Sequence, residues 1–280
     1  MQIVSACIAR DLPVYRITFA SLRRHMPDAE IHVITRKEDF PRFREACGPD
    51  LVLWDEGALL PGMTLKQLRE MPLPSFPQGA GWYFQQFLKF AFVNVSNADE
   101  HYLIWDADTV LLRPIEFFDP TGKAYYTKAG EHHRPYFQTY EQLFGVPAER
   151  EFSFISQHQI ISKPILREML GEIEARNPES ANWTWAIMNN LRGEGSNRFS
   201  EYETYGHYAK WKHPETMVFR ELSWTRNGER SAGYPPDPSK LGPLAEAYSF
   251  AAFETFFSFK KRISRLLRKL MGKKVIENYS

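Results

Sequence analysis

The sequence predicts an α/β fold with a mainly parallel sheet, because short apolar runs alternate along the chain with segments of helical spacing. Five runs have the length and composition of strands. They read QIVSACI, EIHVITR, DLVLWDE, HYLIWDAD and FISQHQIISKP. Helices are predicted between them at VYRITFASLRRH, GWYFQQFLKFAFVNV and SKPILREMLGEIEARN. Since such sheets bind ligands beyond the carboxyl ends of their strands, we look for functional residues there.

The helix predicted over residues 81–95 separates into two faces. Its apolar side chains recur at spacings of three and four, which places them on one buried stripe. These residues are Phe84, Phe87, Leu88, Ala91, Phe92 and Val95. The last of the three helices has its own start signal, because Ser162 is a favoured capping residue and Pro164 suits the first turn.

The composition indicates one large globular domain, or one domain with a tail. The chain has 280 residues, of which 43% are hydrophobic and 15% aromatic. Cys7 and Cys47 are too few for a disulfide framework and fit a reducing compartment. The first residues lack the long apolar segment of a signal peptide, and no stretch reaches the roughly 20 apolar residues of a membrane-spanning helix. We therefore expect the body to be cytoplasmic.

The C-terminal segment carries a concentrated positive charge. Eight lysines and arginines and no acidic residue lie between residues 260 and 274, and without them the formal net charge of +1 becomes −7. An acidic body with a basic tail argues against broad nucleic-acid binding by the main domain and favours a localised anionic partner.

The same segment has the spacing of an amphipathic helix. Its apolar residues lie three and four apart on one face, with the basic residues on the other. The apolar residues are Phe256, Phe259, Ile263, Leu266, Leu267 and Leu270. We expect residues 256–274 to bind an anionic membrane surface, which would make the protein peripheral on the inner face of the cell membrane. The alternative is a C-terminal helix packed on the domain with a solvated basic face.

Three regions follow from these patterns. Residues 1–232 are predicted to form the α/β domain. Residues 233–254, which begin with the Pro- and Gly-rich GYPPDPSKLGP, are predicted to be a linker and the start of the tail. Residues 255–280 are predicted to form the basic amphipathic helix.

Two aspartates stand one residue apart at the end of the strand in YLIWDADTVLL. Residues two apart on an extended segment face the same side, so Asp106 and Asp108 would present their carboxylates together. Such hard oxygen ligands suit Mg²⁺ or Mn²⁺, which usually keeps other positions for water and phosphate oxygens. The alternative is a turn in which the aspartates bond to the backbone.

The order of four motifs along one chain resembles nucleotide-sugar-dependent glycosyltransferases of the GT-A, Rossmann-like fold. The motifs are GWYFQQFLKFA, YLIWDADTVLLRP, SFISQHQIISK and FSEYETYGHY. The chain looks like bacterial glycosyltransferase-like proteins of surface polysaccharide synthesis, over residue 1 to roughly 215. The resemblance implies a nucleotide-sugar donor, a glycan or lipid-linked acceptor, and Mn²⁺ or Mg²⁺ held by Asp106 and Asp108 on the donor's pyrophosphate. A later histidine often supplies a third ligand, for which His207 and His213 are candidates.

The resemblance also indicates where the substrate binds. The loop CIARDL would meet the base and ribose through Arg10 and Asp11, although a simple turn also accounts for the aspartate. Gln86 and Lys89 would face the phosphates or sugar, the lysine as a point charge, unless they lie on a solvated helix face. His158 would bond a sugar hydroxyl, or would be a structural histidine. Asp106 is expected to contact the donor as well as the metal.

Two glutamates in FSEYETYGHY are candidates for acid–base chemistry. If this segment is extended, Glu201 and Glu203 share one face. An inverting transfer needs a base for the acceptor hydroxyl, and a carboxylate within hydrogen-bond reach can serve. Glu201 is the first choice and Glu203 the second. The alternative is an ordinary strand with solvated glutamates.

Two other functions use the same residues. The motif at residues 102–112 also fits haloacid-dehalogenase-type phosphatases, but that chemistry needs a second acidic pair downstream to hold Mg²⁺. The only later aspartates, Asp119 and Asp237, are not in such a pair. A non-catalytic sugar-binding module recruited to the membrane is the other alternative.

Overall fold

The computed structural model describes residues 1–71, 79–95, 99–195 and 197–254. The strands are β1 (Gln2–Ala6), β2 (Glu30–Thr35), β3 (Leu51–Asp55), β4 (His101–Trp105), β5 (Thr109–Leu111), β6 (Ala124–Thr127), β7 (His158–Ser162), β8 (Met217–Arg220), β9 (Trp224–Thr225) and β10 (Phe250–Ala252). The helices are α1 (Leu12–His25), α2 (Phe40–Cys47), α3 (Glu56–Leu59), α4 (Leu65–Glu70), α5 (Ala80–Ala91), α6 (Arg134–Phe144), α7 (Lys163–Arg176), α8 (Trp183–Asn189), α9 (Glu201–Lys212), α10 (Gly228–Ala232) and α11 (Leu241–Ala247).

A five-stranded sheet in the order β3-β2-β1-β4-β7 forms the centre of the described fold. The first four strands are mutually parallel, and β7 runs antiparallel to β4. Each of these strands coincides with a run predicted from the sequence, and α1, α5 and α7 coincide with the predicted helices. The predicted α/β class, a mainly parallel sheet flanked by helices, is confirmed.

The predicted stripe of α5 lies in the main core. All six of its apolar residues are buried there, together with the sheet's own Ile, Val and Leu side chains. Among the described residues, no helix combines the length and the apolar character needed to span a membrane.

The structure corrects the prediction that residues 233–254 form a linker. It contains α11 and the strand β10, which pairs antiparallel with β5 and parallel with β9. The side chains of β10 and of Phe253 are fully buried. Phe250 joins the main core, whereas Ala251 and Phe253 pack in a second core with residues of α1, β5 and α11. The segment is therefore part of the domain, and the predicted basic helix over residues 255–280 lies outside the described residues.

A second correction concerns FSEYETYGHY, which was considered as an extended segment and instead begins the helix α9. Ser200 caps this helix by accepting a hydrogen bond from the backbone N–H of Glu203. Gly206 allows close approach of the loop before β7, because a Cβ at that position would lie 2.3 Å from Phe154 Cγ. The helix thus packs directly behind the strand β7 and its preceding loop.

His158 is buried at the start of β7, opposite Trp105 in the register of the two strands. Its ring stacks on the Trp105 ring, with centroids 5.3 Å apart. Nδ1 lies 3.0 Å from the Ser156 carbonyl, which can only accept, so Nδ1 carries the proton and Nε2 accepts from the Thr127 hydroxyl at 3.2 Å. Burial, helped by Arg220, lowers the pKa of His158 to about 3. The imidazole is therefore neutral and structural.

This buried histidine predicts a loss of stability in mild acid. Because its pKa is lower in the folded than in the unfolded chain, the unfolded state takes up a proton first as the pH falls below about 6.5. The contribution of His158 is complete above that pH and falls by up to about 1.4 kcal/mol per pH unit on the way to pH 3. Urea unfolding, followed by tryptophan fluorescence at pH 7 and pH 5, measures this loss.

His158→Asn is the comparison variant, since its amide can still donate to the Ser156 carbonyl. We expect it to be less stable than the native chain at pH 7, and to lose less stability between pH 7 and pH 5. An identical loss in both proteins would show that His158 is not the group responsible.

Candidate active site

The strand order predicts a crevice between the carboxyl ends of β1 and β4. The chain leaves β1 towards β2 on one side, whereas β4 lies on the other side of β1, and such a switch in strand order is where α/β sheets bind ligands. Arg10 and Asp11 follow β1, and Asp106 and Asp108 follow β4. The structure therefore brings these predicted residues to the same edge of the sheet.

Asp106 is held by a buried lysine and a tyrosine. Lys89 Nζ donates to Asp106 Oδ1 at 2.5 Å and to Glu201 Oε1 at 2.7 Å. The Tyr202 hydroxyl donates to the same Asp106 oxygen at 2.8 Å. One cation thus joins α5, the end of β4 and the first turn of α9.

Lys89 and Glu201 are almost completely buried, with side chains 5% and 4% exposed. Burial by itself would lower the pKa of Lys89, but Asp106 and Glu201 outweigh it and raise that pKa, so the ammonium stays charged. Burial raises the pKa of Glu201, and Lys89 opposes that shift. A charged lysine held between two carboxylates fixes the orientation of Asp106.

Asp108 is in a different environment. Burial, with the nearby charges of Asp106 and Glu254, raises the pKa of Asp108 to about 7. Burial also raises the pKa of Glu254 to about 7, although Arg226 lies 3.6 Å from its carboxylate and works against the shift. The backbone N–H of Phe253 donates to the Asp108 carbonyl at 2.8 Å, which holds the C-terminal segment against this edge. The crevice therefore has more carboxylates than its cations neutralise.

Gln157 links Asp106 to Arg226. With its amide oriented to satisfy both neighbours, it donates to Asp106 Oδ2 at 3.1 Å and accepts from Arg226 Nη2 at 2.9 Å. Its φ of 66° is the only positive value at a non-glycine among the described residues. Strained backbone of this kind is concentrated at functional sites. Arg226 also forms an ion pair with Glu131.

The hard oxygen donors of Asp106 and Asp108 fit a divalent cation. Burial is the main cause of the raised pKa of Asp108, and the charges of Asp106 and Glu254 add to it; a cation bound between the carboxylates would offset both effects. Among the described residues, no three acidic, histidine or cysteine side chains converge closely enough to form a site from protein ligands alone. Mg²⁺ in general retains several waters and takes phosphate oxygens as further ligands.

Arg10 and Asp11 lie at the predicted end of the crevice. Their side chains form an ion pair with Arg10 Nε 3.2 Å from Asp11 Oδ1, and the arginine is largely exposed. Both are accessible to a ligand. Contact with a base or ribose remains a prediction.

Two residues predicted to bind substrate have structural partners instead. Gln86 is buried, donates to the Trp82 carbonyl at 3.1 Å and accepts from the Glu201 backbone N–H at 2.9 Å, so it helps to cap α9. His158 is enclosed by Trp105 and Thr127, as described above. Both side chains are buried.

The helical form of α9 also separates the predicted catalytic pair. Glu203 points away from Asp106 and accepts from the Ser153 hydroxyl at 2.5 Å and the Phe154 N–H at 3.2 Å. His207, one turn later, has its Nε2 3.1 Å from Glu203 Oε2 and is surrounded by aromatic rings. These contacts correct the predictions of Glu203 as a base and His207 as a metal ligand. His213 lies 2.8 Å from Glu168 at the far end of α9.

Four residues at the crevice were missed by the sequence analysis. They are Glu131, Gln157, Arg226 and Glu254. Only Gln157 could have been found from the sequence, because it lies in the SFISQHQIISK motif, one residue before β7. The other three come from separate loops, and only the tertiary fold brings them together.

Residues 3–233 match the model of the Family of unknown function (DUF6492). The chain belongs to this family. No curated protein matches the chain.

Several solved glycosyltransferases are similar to this DUF6492 member. The galactosyltransferase LgtC, in complex with donor and acceptor sugar analogues, is 10% identical with a TM-score of 0.47, over 90% of this chain and 87% of LgtC. Mouse xyloside xylosyltransferase 1 is 14% identical with a TM-score of 0.49, over 91% of this chain and 98% of that enzyme. The glycosyltransferase GlyE of Streptococcus pneumoniae is 13% identical with a TM-score of 0.42, over 90% of this chain and 54% of GlyE.

Replacing Lys89 should test the buried network. Lys89→Met would leave Asp106 and Glu201 without their shared cation, which costs about 3–5 kcal/mol of unfolding free energy. We expect a smaller loss at pH 5 than at pH 8, because buried carboxylates without a cation take up protons more readily. Urea unfolding at both pH values measures the difference.

Lys66→Met is the matched control, because Lys66 is exposed and its nearest carboxylate, Glu70, is 3.9 Å away. Its loss should stay within about 0.5 kcal/mol at either pH. Equal losses in the two variants would mean that Lys89 does not hold the network together.

Proposed function

We propose that this protein is a metal-dependent glycosyltransferase that moves a sugar from a nucleotide-diphosphate donor to a glycan or glycolipid acceptor in surface polysaccharide synthesis. The observation that carries the proposal is the pair Asp106 and Asp108 at the switch point of the sheet, with Asp106 anchored on Lys89. A departing nucleoside diphosphate develops negative charge. A carboxylate pair at a ligand-binding edge is suited to hold the cation that neutralises it.

Asp106 and Asp108 would hold Mn²⁺ or Mg²⁺. When bound, such a cation acts as a Lewis acid towards the leaving diphosphate. Asp106 keeps a fixed orientation because Lys89 and Tyr202 occupy one of its oxygens and Gln157 contacts the other. Asp108 accepts no such bond from a lysine or arginine within the described residues, which leaves its carboxylate for the cation.

Glu201 remains our choice for acid–base chemistry if the transfer is inverting. Its carboxylate shares Lys89 with Asp106, so it lies at the same crevice. Burial raises its pKa, which is the direction that a base working near neutral pH requires. The hydrogen bond from Lys89 keeps the Glu201 carboxylate in a fixed orientation.

The structure gives no support to the phosphatase alternative. Asp119 is engaged in a turn, where it accepts from the Thr121 and Lys123 backbone N–H groups at 2.8 Å. Asp237 caps a short 3₁₀ helix by accepting from the Ser239 N–H at 3.0 Å. The two later aspartates therefore have local structural roles.

The basic C-terminal segment is the second part of the proposal. A membrane-bound tail would bring the enzyme to a lipid-linked acceptor at the inner face of the cell membrane. The sequence of residues 256–274 contains the cations, and apolar residues at helical spacing, that such binding needs.

Ligand-dependent melting tests the catalytic proposal. A panel of sugar nucleotides and nucleoside diphosphates should raise the melting temperature of the native chain in the presence of Mn²⁺, and much less in EDTA. Asp108→Asn should abolish the metal-dependent shift. In EDTA at pH 8 the same variant should melt no lower than the native chain, because it removes a carboxylate whose pKa is raised to about 7.

Asp55→Asn is the matched control. Asp55 also ends a strand at this edge of the sheet, but β3 lies two strands away from the crevice. This variant should keep the full ligand-dependent shift. The proposal is wrong if no nucleotide shifts the native chain, or if simple phosphate esters are hydrolysed without nucleotide binding.

Vesicle sedimentation tests the tail. The full chain should sediment with vesicles that contain phosphatidylglycerol and stay in solution with phosphatidylcholine vesicles. A chain ending at residue 256 should lose the binding and keep its melting temperature. Equal sedimentation of both chains would refute membrane binding by the tail.

A further inference from the structure

Trp82 lies in the first turn of α5 and is held against the start of α9. Its indole N–H donates to the Phe199 carbonyl in a long hydrogen bond of 3.4 Å. Phe199 lies two residues before Glu201, and its side chain is fully buried. The edge of the indole is therefore fixed against the segment that leads into α9, while 36% of the residue stays exposed.

One face of α5 makes three successive contacts with the start of α9. Trp82, Gln86 and Lys89 are four and three residues apart, which places them on the same side of the helix. The outermost contact is that of Trp82 with the Phe199 carbonyl. Gln86 then accepts from the Glu201 backbone N–H at 2.9 Å, and Lys89 donates to the Glu201 carboxylate at 2.7 Å. Since Gln86 and Lys89 are buried, this face leads from solvent inward to the Glu201 carboxylate.

The exposed end of this face lies at the ligand-binding edge of the sheet. Tyr102, in β4, donates its hydroxyl to the Lys89 carbonyl at 2.8 Å, whereas the Lys89 side chain reaches past the end of that strand to Asp106. Because Cα–Cβ bonds in a helix tilt towards its N-terminus, the first turns of α5 lie farther in that direction. Trp82 comes seven residues before Lys89, which is about 10 Å along the helix axis. The indole therefore lies on the solvent side of the Asp106 and Glu201 carboxylates.

We propose that Trp82 is the stacking contact for the acceptor saccharide. This inference rests on the proposed function, in which Glu201 is the base for an acceptor hydroxyl and must lie within hydrogen-bond reach of it. The negative face of an indole packs well against the C–H groups on one face of a sugar ring. Trp211 is also exposed, but it comes ten residues after Glu201, about 15 Å along α9, and is too far away to serve the same carboxylate.

This role of Trp82 narrows the class of acceptor. A stacking contact recognises the face of a sugar ring, whereas a lipid phosphate would be bound by cations. The cation on this face of α5, Lys89, is already shared by Asp106 and Glu201. The acceptor is thus a glycan or glycolipid whose terminal residue is a sugar ring, and the transfer is to that ring.

Fluorine NMR of the chain labelled with 5-fluorotryptophan tests the contact directly. The chain has seven tryptophans, and the resonance missing from Trp82→Phe identifies Trp82. The probes are a panel of methyl glycosides and disaccharides, added with Mn²⁺ and either UDP or GDP. At least one of them should shift the Trp82 resonance and leave that of Trp211 in place. By ligand-observed NMR titration, the same saccharide should bind Trp82→Ala at least about fivefold more weakly than the native chain.

Trp211→Ala is the matched control, because Trp211 is 40% exposed and lies at the other end of α9. It should change the binding of neither saccharide nor nucleotide. Trp82→Ala should keep the increase in melting temperature that Mn²⁺ and the nucleoside diphosphate produce, which separates loss of a saccharide contact from damage to the metal site.

The outcomes distinguish this inference from the proposed function. If Mn²⁺ and a nucleoside diphosphate stabilise the native chain but no saccharide shifts the Trp82 resonance, the stacking role is wrong and the proposed function stands. Equal saccharide affinity of Trp82→Ala and the native chain also overturns the stacking role. If a saccharide shifts the resonance but no nucleotide binds, the stacking contact stands and the transferase is wrong. If neither ligand binds, both are wrong.

Discussion

The buried ammonium of Lys89, paired with Asp106 and Glu201, is the interaction on which the crevice depends. It is the point where α5, the end of β4 and the start of α9 meet. A buried charge pair adds little net stability compared with apolar packing, but loss of one partner is costly. A hydrophobic contact in this place would be at least as stable. What the ion pair provides is a carboxylate, Asp106, with one fixed orientation at the ligand-binding edge.

The rest of the edge is assembled from the C-terminal part of the domain. The strand β10 pairs with β5, directly after the aspartates, and the Phe253 N–H holds the Asp108 carbonyl. This pairing brings Glu254 and Arg226 to the carboxylates. Phe253 and Glu254, which lie beyond the predicted domain end at residue 232, thus contribute to the crevice.

The sequence predicted correctly those strands and helices that depend on local patterns of residues. The apolar runs of β1 to β4 and the three-and-four spacing in α5 follow directly from periodicity. FSEYETYGHY was considered as an extended segment although the sequence holds a helical signal. Ser200 and Glu203 have the spacing of a capping box, and Tyr202, Tyr205 and Tyr208 lie three apart. Gln86 and Lys89 were both assigned to a polar face, but burial of their polar atoms depends on partners more than 100 residues away in α9, which periodicity does not report.

The two aspartates of the pair differ in what holds them, although the sequence presents them as equivalent. Asp106 is paired with Lys89, which it shares with Glu201, before any ligand binds. Asp108 forms no ion pair with a lysine or arginine in the described part of the chain. Burial, with the charges of Asp106 and Glu254, raises its pKa to about 7, which leaves it partly protonated near neutral pH. A dication that takes Asp108 as a ligand must displace that proton, which couples cation binding to pH. Asp106 is thus held in place by Lys89, whereas the charge of Asp108 changes near neutral pH. In a structural ion cluster both carboxylates would be paired with cations, so this difference favours a ligand site.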